Sequence, residues 1–228
     1  MVFIVFILLL LFWFLIYRLM KNYEVPSQMV FQTLSIIQWI FSLLLSQAIL
    51  NSKLENQIVF RTFRFIQSEI QVYYVILILS YILFELVAQQ ILKQLHSIQL
   101  INLCLMSLTL VIPLIHQNSW VEAICIVRYS KLSKIPFNLK NILLVYGMEQ
   151  TLPYHIINMV YQLIYSFSSL VMLPYCLILF ILNKYCANVI YMLILIIIMA
   201  IYTTIKINLP QIQQSIQYIR QRQILFIF

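Results

Sequence analysis

The chain has 228 residues, of which 64% are hydrophobic and 9% charged, with a mean hydropathy of +0.98 and a formal net charge of +8. Water-soluble domains run at about 45–50% apolar and about 25% charged residues, so a soluble globule is excluded and an integral membrane protein is implied. The net charge reflects missing acids, because fourteen Lys and Arg stand against six Glu and no Asp. The bases sit singly between apolar runs, as flanks of membrane segments do, and not as the clustered face that binding to nucleic acid requires.

In chain order, residues 1–17 lack the basic start and small-residue cleavage site of a signal peptide and are followed by Arg18 and Lys21, so they read as a retained first span. Residues 29–50 form a second, whose Gln and Ser are expected to face protein. Residues 51–70 carry Lys53, Arg61 and Arg64 against Glu55 and Glu69, an amphipathic connector at the membrane surface. Residues 72–92 are the third span and contain Glu85. The apolar stretch 98–115 has borderline length for spanning, and 116–140 is the most polar region, with Arg128, Lys131, Lys134 and Lys140.

From 141 to 182 the chain is almost continuously apolar. One helix of that length would be about twice the bilayer core, so two helices are expected, with a turn near His155–Asn158. Residues 189–205 form a further span, and the tail keeps a helical period while becoming more polar. The expected fold is an all-α polytopic transmembrane bundle of about seven membrane segments, a single domain over 1–228. It divides into two helices (1–50), the connector (51–70), a third helix (71–96), an apolar and basic insertion (97–134) and a C-terminal bundle (135–228).

Gly147 is the lone glycine. Small residues let membrane helices approach closely, so it is expected to mark a tight helix contact. Cys104, Cys125, Cys176 and Cys186 show no CxxC and no spacing with His that suits a metal. They read as small hydrophobes. His96, His116 and His155 all fall near expected helix ends, where capping outweighs haem ligation. A chain without Asp holds no Ser-His-Asp triad, and one glycine cannot build a phosphate-binding loop. No catalytic residue, metal ligand or cofactor site is therefore expected.

Around Gly147 the sequence has a pattern of its own. Pro136 lies eleven residues before it, Leu143-Leu144 just upstream, Thr151 four residues after and His155 eight after. This resembles the fourth-helix segment of cytochrome c oxidase subunit III, a family with Pro, Leu-Leu, Ser-Gly, Thr and His-His in that register. Leu139-Lys140, Tyr146 and Tyr154 stand where the family has Asn-Thr, Ser and the first His. A basic connector, Ser80, Glu85 and His96 follow the family's order before and through its third helix, with Glu85 about one turn late. If residues 98–115 crossed the bilayer once, every later helix would be inverted relative to the family. The resemblance thus implies that they lie in the interface, re-enter or pack without a full crossing.

The resemblance implies a non-catalytic core subunit of the oxidase in the mitochondrial inner membrane, in obligate association with subunits I and II, which hold the haems and copper ions. Bound phospholipid and other membrane lipids are implied partners. Gly147, Leu143, Leu144 and Thr151 become helix-packing residues, and Glu85, His96 and His155 candidates for proton uptake or lipid contact. For Glu85 the residues also allow a protonated acid bonded to Ser or Gln of a neighbouring helix. An abundance of Ile, Leu, Phe and Tyr, with Gly, Ala and Asp scarce, matches an AT-rich organellar reading frame. Three alternatives stand beside this reading. One is a lineage-specific structural subunit of a respiratory complex or ATP synthase. A small permease would need broken helices, and a proton-channel or antiporter-like subunit would need a Lys or Arg at membrane depth. Lys93, Lys184 and Lys206 sit at span ends and do not supply one.

Overall fold

A chain this apolar has to satisfy its backbone N–H and C=O groups internally, and helices do so segment by segment. The computed structural model describes residues 2–23, 25–54, 69–92, 97–116, 120–182 and 187–227, and these are helical apart from short turns, with no strand among them. In order they form α1 (Val2–Lys21), α2 (Ser27–Leu54), α3 (Glu69–Ile91), α4 (Ser97–His116), α5 (Trp120–Lys131), α6 (Lys134–Val145), α7 (Leu152–Phe167), α8 (Leu173–Leu182), α9 (Ala187–Thr203) and α10 (Leu209–Ile227). Five-residue π-helical turns, Ser168–Met172 and Thr204–Asn208, join α7 to α8 and α9 to α10 without a break. The five stretches Phe3–Lys21, Ser27–Ile49, Glu69–Ile91, Leu152–Ile181 and Asn188–Arg220 are long and apolar enough to cross a bilayer. The protein is a multi-pass helical membrane protein. The amphipathic connector falls mostly on 55–68, and His96 on 93–96, outside the described residues.

Beside its buried apolar residues, α2 turns a polar stripe into the bundle. On α2, Gln32, Ser35, Gln38, Ser42 and Ser46 recur at helical spacing and are all buried, while Ile37, Ile40, Phe41 and Leu44 face outward. Lipid tails are as apolar as Leu, so helices in a bilayer associate through packing and hydrogen bonds rather than through apolar burial. Ser42 shares a 2.9 Å hydrogen bond with the Tyr74 hydroxyl of α3, and the Ser35 hydroxyl accepts one of 2.7 Å from the Asn138 amide of α6. Aromatic rings do the rest. Trp13 of α1 and Trp39 of α2 meet Tyr81 of α3 edge-on at 5.1 and 5.7 Å, and Phe14, Tyr17 and Phe31 surround Phe84.

The insertion expected at 97–134 is not peripheral. α5 lies against α2, α3, α4, α8 and α9, and Trp120, Val121, Ala123, Ile124, Ile126 and Val127 are buried. The polarity of 116–140 disguised a helix enclosed on several sides. α4 packs on α3, α5 and α9 with Leu103, Met106, Thr109 and Leu110 inward.

The turn in the 141–182 run falls earlier than expected. α6 ends at Val145, and His155 and Asn158 lie inside α7. Gly147 has φ +70°, and its N–H donates to the Leu144 carbonyl at 3.0 Å while that of Met148 donates to Leu143 at 3.0 Å. This pair of bonds is the Schellman closure of a helix C-terminus, which calls for a left-handed residue at the glycine position. A Cβ placed on Gly147 would meet nothing within 4 Å, so the glycine does not mark a close helix contact. It is kept for its backbone conformation. Leu143 and Leu144 serve the cap through their carbonyls, and the Leu144 side chain is exposed. Thr151 turns its hydroxyl back on the Met148 carbonyl at 2.7 Å and precedes Pro153 in the first turn of α7, a position that proline fits.

Candidate functional site, a buried ion pair beside a polar cavity

Glu85 sits on the inner face of α3, six residues before its end, and is 1% exposed. Its Oε1 accepts from Lys134 Nζ at 2.6 Å and from Gln89 Nε2, one turn along α3, at 3.0 Å. A nitrogen–oxygen distance that short is the mark of a charge-assisted bond. The partner from a neighbouring helix is thus a lysine at the first position of α6 rather than a Ser or Gln, and the bonded Gln89 lies on α3 itself.

Two features bring Lys134 there. The helix breaks at Leu132-Ser133 between α5 and α6, which lets α6 set off at a new angle along α2. Pro136, in the first turn of α6, lacks an N–H that would have no helical partner in any case. Lys131, the last residue of α5, is buried, and its ammonium lies 5.8 Å over the Trp39 ring. Lys140, two turns into α6, stands over Phe137 and Tyr161 at 5.4 and 5.1 Å. Aromatic faces stabilise such cations through their quadrupoles.

Gln89, Lys131 and Lys134 border a cavity of about 690 Å³ lined by α3 through α10 and by neither α1 nor α2. Its polar lining includes Gln89, Ser130, Lys131, Lys134, Asn208 and Gln211. Both π-helical turns reach it, through Ser169 on one and Asn208 on the other. Such turns are frequent at functional sites because they shift the side-chain register by one residue.

Beyond the cavity, α7 and α10 are joined by a polar ladder. Gln162 donates to Gln211 at 2.7 Å, Asn158 donates to Ser215 at 2.9 Å, and His155 Nδ1 lies 3.3 Å from the same Ser215 hydroxyl. The Tyr218 ring stacks on His155 at 3.8 Å, and its hydroxyl donates to the Gln150 carbonyl in the turn. Of the residues singled out in the sequence, Glu85 belongs to the ion pair and His155 to the ladder. Gly147, Leu143, Leu144 and Thr151 form the turn above it, and His96 is outside the described residues.

The sequence reading named Lys131 and Lys134 only as part of the most polar region, 116–140, and gave them no role. The available signal was their setting, between the apolar runs 120–127 and 135–145 and beside a proline. It also missed the ladder, which is legible as His155, Asn158 and Gln162 on one helical face opposite Gln211, Ser215 and Tyr218. Among the described residues no group of His, Cys, Asp and Glu is arranged to hold a metal. Comparison with protein-family models, curated proteins and solved structures finds no match to this chain.

Proposed function

We propose that the chain is a non-catalytic multi-pass subunit of a proton-translocating assembly of the mitochondrial inner membrane, in which Glu85 and Lys134 form a proton-exchanging pair. The observation that carries the reading is the 2.6 Å bond between the fully buried Glu85 and the Lys134 side chain, which is 19% exposed. A buried ion pair adds little stability over well-packed apolar residues, and ionisable groups at membrane depth mark ion and proton pathways by default. Lys134, through its bond to Glu85 of the third span, is this reading's candidate for the basic group that Lys93, Lys184 and Lys206 do not supply. A proton arriving on the Glu85 carboxylate neutralises it and frees the Lys134 ammonium, and loss of that proton restores the pair. The mitochondrial setting rests on the residue bias of the sequence.

The reading includes seven crossings. α4 is about 30 Å long at 1.5 Å per residue, and the reading counts α5 and α6 together as one broken pass, which adds two passes to the five apolar spans. A supporting subunit III of cytochrome c oxidase is the second reading, favoured by the register of Pro136, Leu143, Leu144, Gly147, Thr151 and His155. The left-handed Gly147 weighs against it, because the resemblance needs one continuous helix through 147 and α6 ends at Val145.

The test is proton flux into liposomes holding the full chain, driven by a potassium diffusion potential and read with an entrapped pH dye. The expected result is flux well above that of empty liposomes, reduced at least tenfold by Glu85→Gln and by Lys134→Met. Flux equal to that of empty liposomes, or a current carried by chloride and indifferent to Glu85→Gln, overturns the proposal. Co-migration on a native gel with haem a and subunits I and II would favour the oxidase reading.

A further inference from the structure

The α7–α10 ladder runs from the cavity toward one end of the bundle. Gln211 lines the cavity, Gln162 bonds it, and Asn158 and His155 follow on α7 at one-turn spacing, with Ser215 between them on α10. Above His155 lies the turn 146–151, where Tyr146, Gly147, Glu149 and Gln150 are exposed. From Gln162 to His155 is seven residues, or about 10 Å along the helix axis. The ladder therefore bridges an exposed turn and the chamber beside the ion pair.

Unpartnered atoms mark the same route. Asn158 Oδ1, Gln162 Oε1, Asn208 Oδ1 and Nδ2, Gln89 Oε1 and Glu85 Oε2 are buried without a hydrogen-bond partner among the described residues. Buried polar atoms are almost always satisfied, and a site with several of them in reach of a cavity is one that holds ordered water. All but one of these atoms are acceptor oxygens. An anionic ligand brings further acceptors and leaves them unpaired, whereas water and hydronium bring donors. The chemistry favours water over an organic anion, despite the three lysines nearby.

We infer that the α7–α10 seam is a water-filled proton path leading from the His155 end to the Glu85–Lys134 pair. This rests on the proton-exchange reading of the pair and adds its route. His155 is the titratable group at the outer end, able to accept a proton at one ring nitrogen and pass it on. The amides of Asn158, Gln162 and Gln211 do not ionise at neutral pH. They are positioning residues that order the waters between His155 and Glu85. Tyr218 fixes the imidazole plane by stacking.

The experiment separates the path from the pair by measuring access as well as flux. Full-length chain in liposomes carries Gln211→Cys, and a small water-soluble thiosulfonate is applied, with labelling of that position read by mass spectrometry against Leu163→Cys on the lipid-facing side of α7 (60% exposed). Labelling at 211 at least tenfold faster than at 163 is expected. Ser215→Phe added to Gln211→Cys should abolish both labelling and flux, whereas Glu85→Gln should abolish flux and leave labelling unchanged. Asn158→Leu, a milder change, should lower both and covers the case in which Ser215→Phe fails to fold. Labelling at 211 no faster than at 163, or unchanged by both blocking substitutions, overturns the path whatever becomes of the ion pair.

Discussion

The two halves of the bundle solve the same packing problem with different chemistry. α1, α2 and α3 meet largely through rings, with Trp13, Trp39, Tyr81 and Phe84 interlocked and none of the four lining the cavity. α7 and α10 meet through amides and hydroxyls, each continues from or into a π-helical turn, and both line the cavity. Ring packing fills space and fixes one geometry. Among the described residues unpartnered polar atoms occur on both sides, but those of Gln89 and Asn208 line the cavity, whereas those of Trp13, Gln32, Gln38, Trp39 and Tyr81 lie away from it. The contrast teaches that in this chain the aromatic side is scaffold and the polar side is where chemistry is placed. Glu85 joins the two, since it lies one turn from Tyr81 on the buried face of α3 and bonds Lys134 at the edge of the cavity.

The comparison is broken most directly at its boundary. Lys134→Met leaves Glu85 buried without its cation and should cost about 3–5 kcal/mol, the usual effect of removing one partner of a buried pair. Adding Glu85→Gln should recover most of that loss in detergent unfolding. A double variant no more stable than the single one would show that the two residues do not act as a pair.

On the aromatic side, Phe84→Ala should destabilise by about 3–5 kcal/mol through the cavity it leaves. On the polar side, Gln162→Leu removes a single amide bond and should cost only about 1 kcal/mol, while lowering proton flux severalfold. Equal stability losses at the two positions, read in the same unfolding assay, would erase the distinction between scaffold and path.

A similarly small effect belongs to the turn above the seam. Gly147→Ala meets open space and carries only the strain of a left-handed backbone, about 1–2 kcal/mol, and Gly147→Asn should cost less because Asn tolerates that region. A loss at Gly147→Ala matching that at Phe84→Ala would restore the close helix contact that the geometry removes.

Much of the architecture was readable from local pattern. The inward Gln and Ser face of α2 and the Glu-bearing third span are properties of one segment each, and helical periodicity exposes them. Gly147 was singled out correctly, but its reason was not legible. A sequence does not distinguish a glycine that admits a neighbour from one that admits a positive φ. The ion pair was hidden because Glu85 and Lys134 are 49 residues apart and Lys134 lies in a stretch whose local polarity resembles a loop. The seam was half legible, as two polar faces on separate helices with nothing in either to name the other.

By itself, the sequence determined the solvent and the helical, multi-pass character, because hydrophobic excess and the need to pair the backbone internally act on each segment alone. It also supplied the acid and the bases. Only the tertiary structure decided that α5 is enclosed by other helices, that its break delivers Lys134 to Glu85, and that α7 faces α10 along their polar edges. These are relations between segments far apart in the chain, fixed by which faces pack together once the helices share one bundle.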